Sequence, residues 1–270
     1  ENISIEPYEV HWNTDSYGSI QSAVDAAEPG DTIKVEPGTY EENVSISKAD
    51  ISLEGPNAGA SGSEGDRGEE AIVEGKIEIA SNNVTVNGIA VSPQTTFTTD
   101  TSQAAGIFVN ANDTILKNNV VTGVSGNATP GKSMSAHGIQ IFKQSNNPIN
   151  SIVVENNLIK NIHVTGNDSW PGYGGAVGVK IQNKVENVQI LDNTIRNVSS
   201  AGWTYGVVST PSSENTTQPK EVLIRGNEIT GIGDGVVYDV FNDSSAAPYP
   251  GVAVGLDTAG GDYESGTNAT

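Results

Sequence analysis

Trp170, Tyr173, Trp203 and Tyr205 stand in two connecting stretches, 165–175 and 199–205, of a chain with only three tryptophans. Flat aromatic faces of this kind suit the apolar faces of sugar rings, with neighbouring polar groups left to orient hydroxyls. The plain alternative is that they pack their own loops. Phe97, Lys132 and His137 fall in the equivalent stretches 92–105 and 125–137. His137 and the outward Lys143 and Lys180 are the candidates for a catalytic base, with His163 near in coil order. In Glu64-Gly65-Asp66-Arg67-Gly68-Glu69-Glu70 the carboxylates of Glu64, Asp66 and Glu69 lie close together, as oxygen ligands for calcium must. A solvated acidic loop has the same composition. No other cofactor is expected: three histidines, one methionine and no cysteine make a poor transition-metal set. No Gly-rich phosphate loop joins a strand to a helix, and no Ser-His-Asp spacing stands out.

A repeated phrase must position these residues. Residues 115–124 read ILKNNVVTGV, 153–162 VVENNLIKNI, 189–198 QILDNTIRNV and 223–232 LIRGNEITGI. Aligned, they share Asn119, Asn157, Asn193 and Asn227, which are 38, 36 and 34 residues apart. Such a period marks a solenoid, in which stacking buries the apolar face that no single repeat can bury. Short strands with asparagine at the corners specify a parallel β-helix. An Asn side chain offers donor and acceptor together and can bond the Asn one coil above, forming a structural ladder. Gly123, Asn161, Asn197 and Gly231 define a second corner, one that needs positive φ.

Between these phrases runs a second strand family: GIFV (106–109), GIQIF (138–142), VGVKI (177–181), GVV (206–208), GVVY (235–238) and GVAV (251–254). Alternation points Ile139, Ile141, Val177, Val179 and Ile181 inward and Gln140 and Lys180 outward. The connections into these strands vary most and leave the same corner, so they stack as one wall, the usual binding side of a solenoid. At the start of the chain, apolar residues at 20, 23, 24 and 27 make one helical stripe before Pro29-Gly30-Asp31. The expected organisation is a single domain, 1–270: an N-terminal strand (1–15), a capping helix (16–28), coils (32–257) and a tail (258–270).

SIQSAVDAAEPGDTIKVEPGTYEENVSISKADISLEG (19–55) closely resembles the opening of right-handed parallel β-helix proteins of the pectin-lyase-like superfamily, notably the carbohydrate-binding and sugar-hydrolase repeat proteins of microbial surfaces. The resemblance implies an all-β, right-handed parallel β-helix and an association with polysaccharides. It also implies what a polysaccharide lyase of this fold would need: a Lys or Arg base, for which Lys143 and Lys180 stand, and carboxylates holding calcium. No stacked Asp/Glu cluster accompanies them. The related glycosidases use paired carboxylates, often beside Gly-His-Gly; Ala136-His137-Gly138 only approaches that pattern. Fold alone does not fix activity.

With 33 acidic and 13 basic residues the net charge is −20, which repels nucleic acid and anionic membranes. No window approaches the length of a membrane span. Asn-x-Ser/Thr sequons occur at Asn2, Asn43, Asn83, Asn112, Asn127, Asn167, Asn197, Asn215, Asn242 and Asn268, about twice what chance placement gives. These features predict an extracellular, N-glycosylated surface protein of archaeal type, structural or adhesive, that associates with itself into a layer, sheath or fibre. In that reading the N-terminal ENISIEPYEVHW supplies a strand to the C-terminal edge of another copy. The alternative is a protein that binds or cleaves polysaccharide or surface glycans along the loop wall, as a lyase or glycosidase. A viral tail or spike overlaps both. Which charges converge beneath the wall separates the readings.

Overall fold

A computed structural model describes residues 3–6, 17–63, 65, 67–94, 104–128, 134–143, 147–166, 174–200, 203–210, 219–233, 251–256 and 264–266. Those residues form an all-β parallel solenoid with a single short helix. Three sheets run its length. Sheet A has nine strands, among them Thr114–Lys117, Ile149–Glu155, Val185–Leu191 and Lys220–Arg225. Sheet B has eight, including Val120–Thr122, Leu158–Gly166, Thr194–Ser200 and Glu228–Ile232. Sheet C has seven and holds the Gly-led family, including Ala104–Val109, Met134–Phe142, Gly174–Gln182, Thr204–Thr210 and Gly251–Leu256.

Inward files of Ile, Val and Leu build the core. In sheet C, Ile77, Ile107, Ile139, Val179 and Val207 lie in register and are fully buried. The glycines that lead these strands are there for space. A Cβ on Gly138 would come within 2.4 Å of Ile159 and 2.7 Å of the Gly178 carbonyl oxygen.

The corner between sheets A and B carries the ladder. Asn119, Asn157, Asn193 and Asn227 are buried, and each of the first three side chains donates to the next Oδ1 at 2.9–3.1 Å. That same Oδ1 accepts the donating residue's backbone N–H at 2.9 Å. Each Nδ2 also satisfies a carbonyl, Val86, Leu116, Val154 and Ile190 in turn, at 2.7–2.9 Å. The second corner is as expected: Gly123, Asn161, Asn197 and Gly231 have φ of 73°, 56°, 56° and 61°.

The N-terminal end is closed. Helix α1 runs Ile20–Ala26, shorter than the 16–28 expected, because the Ser19 side chain accepts from Ser22 N–H and starts it there. Glu42 receives the N–H groups of Ile20 and Gln21 at 2.7 and 2.9 Å. Gln21 in turn acts as a surrogate strand for Val44–Ile46, the edge of sheet C, receiving Ser45 N–H at 2.7 Å and donating to its carbonyl at 3.3 Å. Strand β1 (Ile3–Glu6) pairs antiparallel with β2 (Thr32–Val35), so that part of the N-terminal segment is engaged within its own chain. Both arrangements blunt edges that would otherwise recruit another chain. Tyr8, Val10 and Trp12 lie outside the described residues.

Candidate functional site

The outer face of sheet C is where the chemistry-bearing residues meet. Register places Ser45, Glu78, Phe108, Gln140, Lys180 and Val208 in one outward file along the solenoid axis, one residue per coil. A parallel file holds Ala105, His137, Val177 and Tyr205; Val177, expected to point inward, falls on this side because the pairing skips Gly178 and breaks the alternation. Phe142, Gln182 and Thr210 form a third.

Outward does not mean exposed here. Lys180 retains only 9% of its accessible surface, and Gln140 and His137 retain none. Trp203, at the entry to Thr204–Thr210, folds back over the sheet: a Cβ on Gly175 would fall 2.2 Å from its ring. Its ring centroid lies 5.5 Å from Lys180 Nζ, a cation–π distance. Tyr205 extends the platform, its ring 5.9 Å from that of Trp203 at 46°. Trp203 and Tyr205 themselves stay partly exposed.

Burial has electrostatic consequences. Desolvation pushes the Lys180 ammonium down to about 8, since an uncharged amine loses less on leaving water. His137 is held well below its ordinary value, first by burial and then by the positive charge of Lys180, with Gln140 beside it pulling weakly upward. Neither ring nitrogen of His137 has a hydrogen-bond partner, and no salt bridge reaches Lys180 among the described residues. Buried polar groups are normally satisfied, so this is an unusual place in the molecule.

The other sequence candidates lie elsewhere. Lys143 follows the end of Met134–Phe142 and turns its Nζ to the Asn110 carbonyl at 3.5 Å. His163 is exposed on sheet B, its Nδ1 2.7 Å from Ser199 Oγ. Phe97, Lys132, Trp170 and Tyr173 lie outside the described residues, as do Glu64 and Asp66. Glu69 is exposed, and its neighbour Glu70 is taken by Arg67 through bonds of 2.6 and 3.0 Å. Arg67 also ties this loop to the Asn118 carbonyl at 2.9 Å. Among the described residues no three His, Asp or Glu gather as metal ligands. One pair escaped the sequence reading. Phe108 and Phe142 sit beside the same file with ring centroids 6.3 Å apart, hidden in strands read only for inward periodicity.

Of the sequons, Asn43, Asn83, Asn112, Asn127 and Asn197 are described and none is in the ladder. Three share a local logic: Asn43-Val44-Ser45, Asn83-Val84-Thr85 and Asn197-Val198-Ser199 each place a buried Val directly after the Asn. A corner Asn, an inward Val and an outward Ser or Thr write a sequon from solenoid geometry alone. Asn83 Nδ2 already donates to Asp50 at 2.7 Å, and Asn197 Nδ2 to Asn161 at 3.2 Å. The remaining sequons, Asn2, Asn167, Asn215, Asn242 and Asn268, lie outside the described residues.

Three stacked parallel sheets, an asparagine-laddered corner and a helix-capped start make up the molecule. The fold is a parallel β-helix. No family model matches the chain, and no curated protein does. Among solved structures it is similar to the crystal structure of pectate lyase Pel9A, with 11% sequence identity, coverage of 92% of this chain and 74% of that one, and a TM-score of 0.38. At that identity and TM-score the likeness carries no argument about activity, and the fold stands on the sheets and the ladder themselves.

Proposed function

We propose that the outer face of sheet C binds an acidic polysaccharide outside the cell, with Trp203 and Tyr205 as the stacking platform and Lys180 as the cation that receives a sugar carboxylate. The observation that carries this reading is the desolvated Lys180, without an acidic partner among the described residues and lying 5.5 Å from the Trp203 ring. A cation held out of water is costly, and an anionic group would relieve that cost locally, working against the general repulsion set by a net charge of −20. The aromatic faces supply apolar contact area for a ring, and a glycan carboxylate supplies the missing charge.

A second reading rests on one further observation, the depression of Lys180 to about 8. An amine that is partly neutral near physiological pH suits general-base work. In a uronan, Lys180 would take the proton on the carbon next to the carboxyl group. The bond to the glycosidic oxygen then breaks, a carbon–carbon double bond forms, and the departing oxygen takes a proton from solvent.

Binding and cleavage separate in one experiment. Fluorescence of the tryptophans is titrated with uronic-acid oligosaccharides, and the same mixtures are followed for the ultraviolet absorbance of unsaturated product. Saturable quenching that Trp203→Ala weakens supports binding, and product that Lys180→Ala abolishes adds cleavage. No quenching by any acidic oligosaccharide overturns both.

A further inference from the structure

The outer face of sheet A carries a charge order that complements its own reverse. Its inward residues, Leu53, Val86, Leu116, Val154 and Ile190, are buried in the core. The outward residues beside them, one per coil, are Glu54, Asn87, Lys117, Glu155, Leu191 and Arg225. Their charges run negative, neutral, positive, negative, neutral, positive. Two positions earlier on each strand, a second outward file holds Ser52, Thr85, Ile115, Val153, Gln189 and Leu223. Ile115, in the middle of that file, is 37% exposed, the large apolar side chain left in the open among the described residues. Lys117 and Glu155 stand in register on neighbouring strands. Yet neither they nor Glu54 and Arg225 form an ion pair among the described residues.

A second copy laid over this face with its solenoid axis reversed answers each of these charges. The two-fold axis runs along the strands, midway between Thr114–Lys117 and Ile149–Glu155. Lys117 then faces the partner's Glu155, and Glu54 faces the partner's Arg225, each pair occurring twice. In the second file Ile115 faces the partner's Val153, which covers the exposed apolar side chain at the centre of the contact. Sliding one copy by a single coil sets Lys117 against the partner's Lys117, or Glu155 against the partner's Glu155. A two-fold axis along the solenoid sets every charge against its own kind. The charges therefore select both direction and register. With two cations and two carboxylates the two files are neutral, on a chain of net charge −20. At physiological salt the Debye length of about 8 Å screens repulsion between the distant acidic surfaces more than contacts inside the interface.

We infer that two copies of this chain pair antiparallel through the outer faces of sheet A, with sheet C taking no part. Six coils spaced by roughly 4.8 Å span roughly 24 Å, a contact at the small end for specific pairs, so a micromolar dimer is expected. Sedimentation velocity of the full chain at about 1–100 μM should show a monomer–dimer equilibrium. Lys117→Glu should weaken it about tenfold, and adding Glu155→Lys to that variant should restore it, because the exchanged charges meet again. Ile115→Thr should weaken it several-fold. Trp203→Ala should leave it unchanged, which separates the pairing from the proposed glycan face. Each variant should unfold near the parent's Tm, since these side chains lie on the surface. A monomer across that range, a dimer or polymer indifferent to Lys117→Glu, or a double variant no tighter than the single one overturns the inference.

Discussion

The corner between sheets A and B and the outer face of sheet C both bury polar side chains, with opposite accounting. In the ladder every member is answered: Asn157 alone accepts twice from Asn119 and donates to Leu116 and Asn193. On sheet C, neither buried nitrogen of His137 has a hydrogen-bond partner among the described residues, and Lys180 carries a charge that burial disfavours. A satisfied buried network rigidifies a fold, whereas an unsatisfied one costs stability and is retained where something else completes it. The contrast separates what builds this molecule from what it is proposed to do.

The sharpest way to break the comparison is at the ladder. Asn157→Ala orphans the Asn119 amide groups and the Leu116 carbonyl in one step, and should cost about 4 kcal/mol in urea unfolding. A loss under about 1 kcal/mol would mean the ladder is ornament.

Lys180→Met should do the reverse. Removing a buried cation ought to raise stability at neutral pH by about 1–3 kcal/mol, the burial penalty less the lost cation–π contact. The sign follows from protons bound. The native amine titrates at about 8, below its ordinary value, so the unfolded chain holds more protons above that pH. Native stability therefore rises with pH from about 8 toward the ordinary lysine range, and the advantage of Lys180→Met should shrink across that window. The same variant should lose glycan binding, an exchange of function for stability.

His137 gives a smaller effect at the acid side. Its native pKa is depressed, so the unfolded state gains protons first, and stability falls as pH drops below the ordinary histidine range. His137→Gln should flatten that part of a stability–pH profile. Smallest is Trp203→Ala, which should weaken binding about tenfold with little change in the ladder-dependent unfolding midpoint.

The ladder was legible in sequence because its requirement is local and repeated: four asparagines, each between two short apolar strands, admit one arrangement. The positive-φ corner at Gly123, Asn161, Asn197 and Gly231 was legible for the same reason, since few residue types tolerate it. The site was legible only in parts. Alternation correctly turned Gln140 and Lys180 outward, yet nothing periodic announces that both are buried, or that Trp203, in the following coil, folds back across Gly175 to within 5.5 Å of Lys180. His137 looked like a loop residue because 125–137 reads as a variable connection, whereas the strand begins at Met134. The strand pairing of sheet C skips Gly138, which pairs neither with Gly106 nor with Gly178, and simple counting across it misplaces His137. The N-terminal strand shows the same limit: its alternation was visible, but not that it would pair antiparallel with Thr32–Val35 of its own chain.

The most direct test is the titration of Lys180 itself, followed by carbon-13 resonances of labelled lysine side chains, assigned with Lys180→Met. Alone, Lys180 should titrate at about 8, apart from the other lysines, and addition of an acidic oligosaccharide should raise it toward the ordinary lysine range as a carboxylate pairs with the ammonium. A Lys180 that titrates with the remaining lysines, or one that stays at about 8 while saturated with oligosaccharide, would contradict the assignment of this face as the binding site.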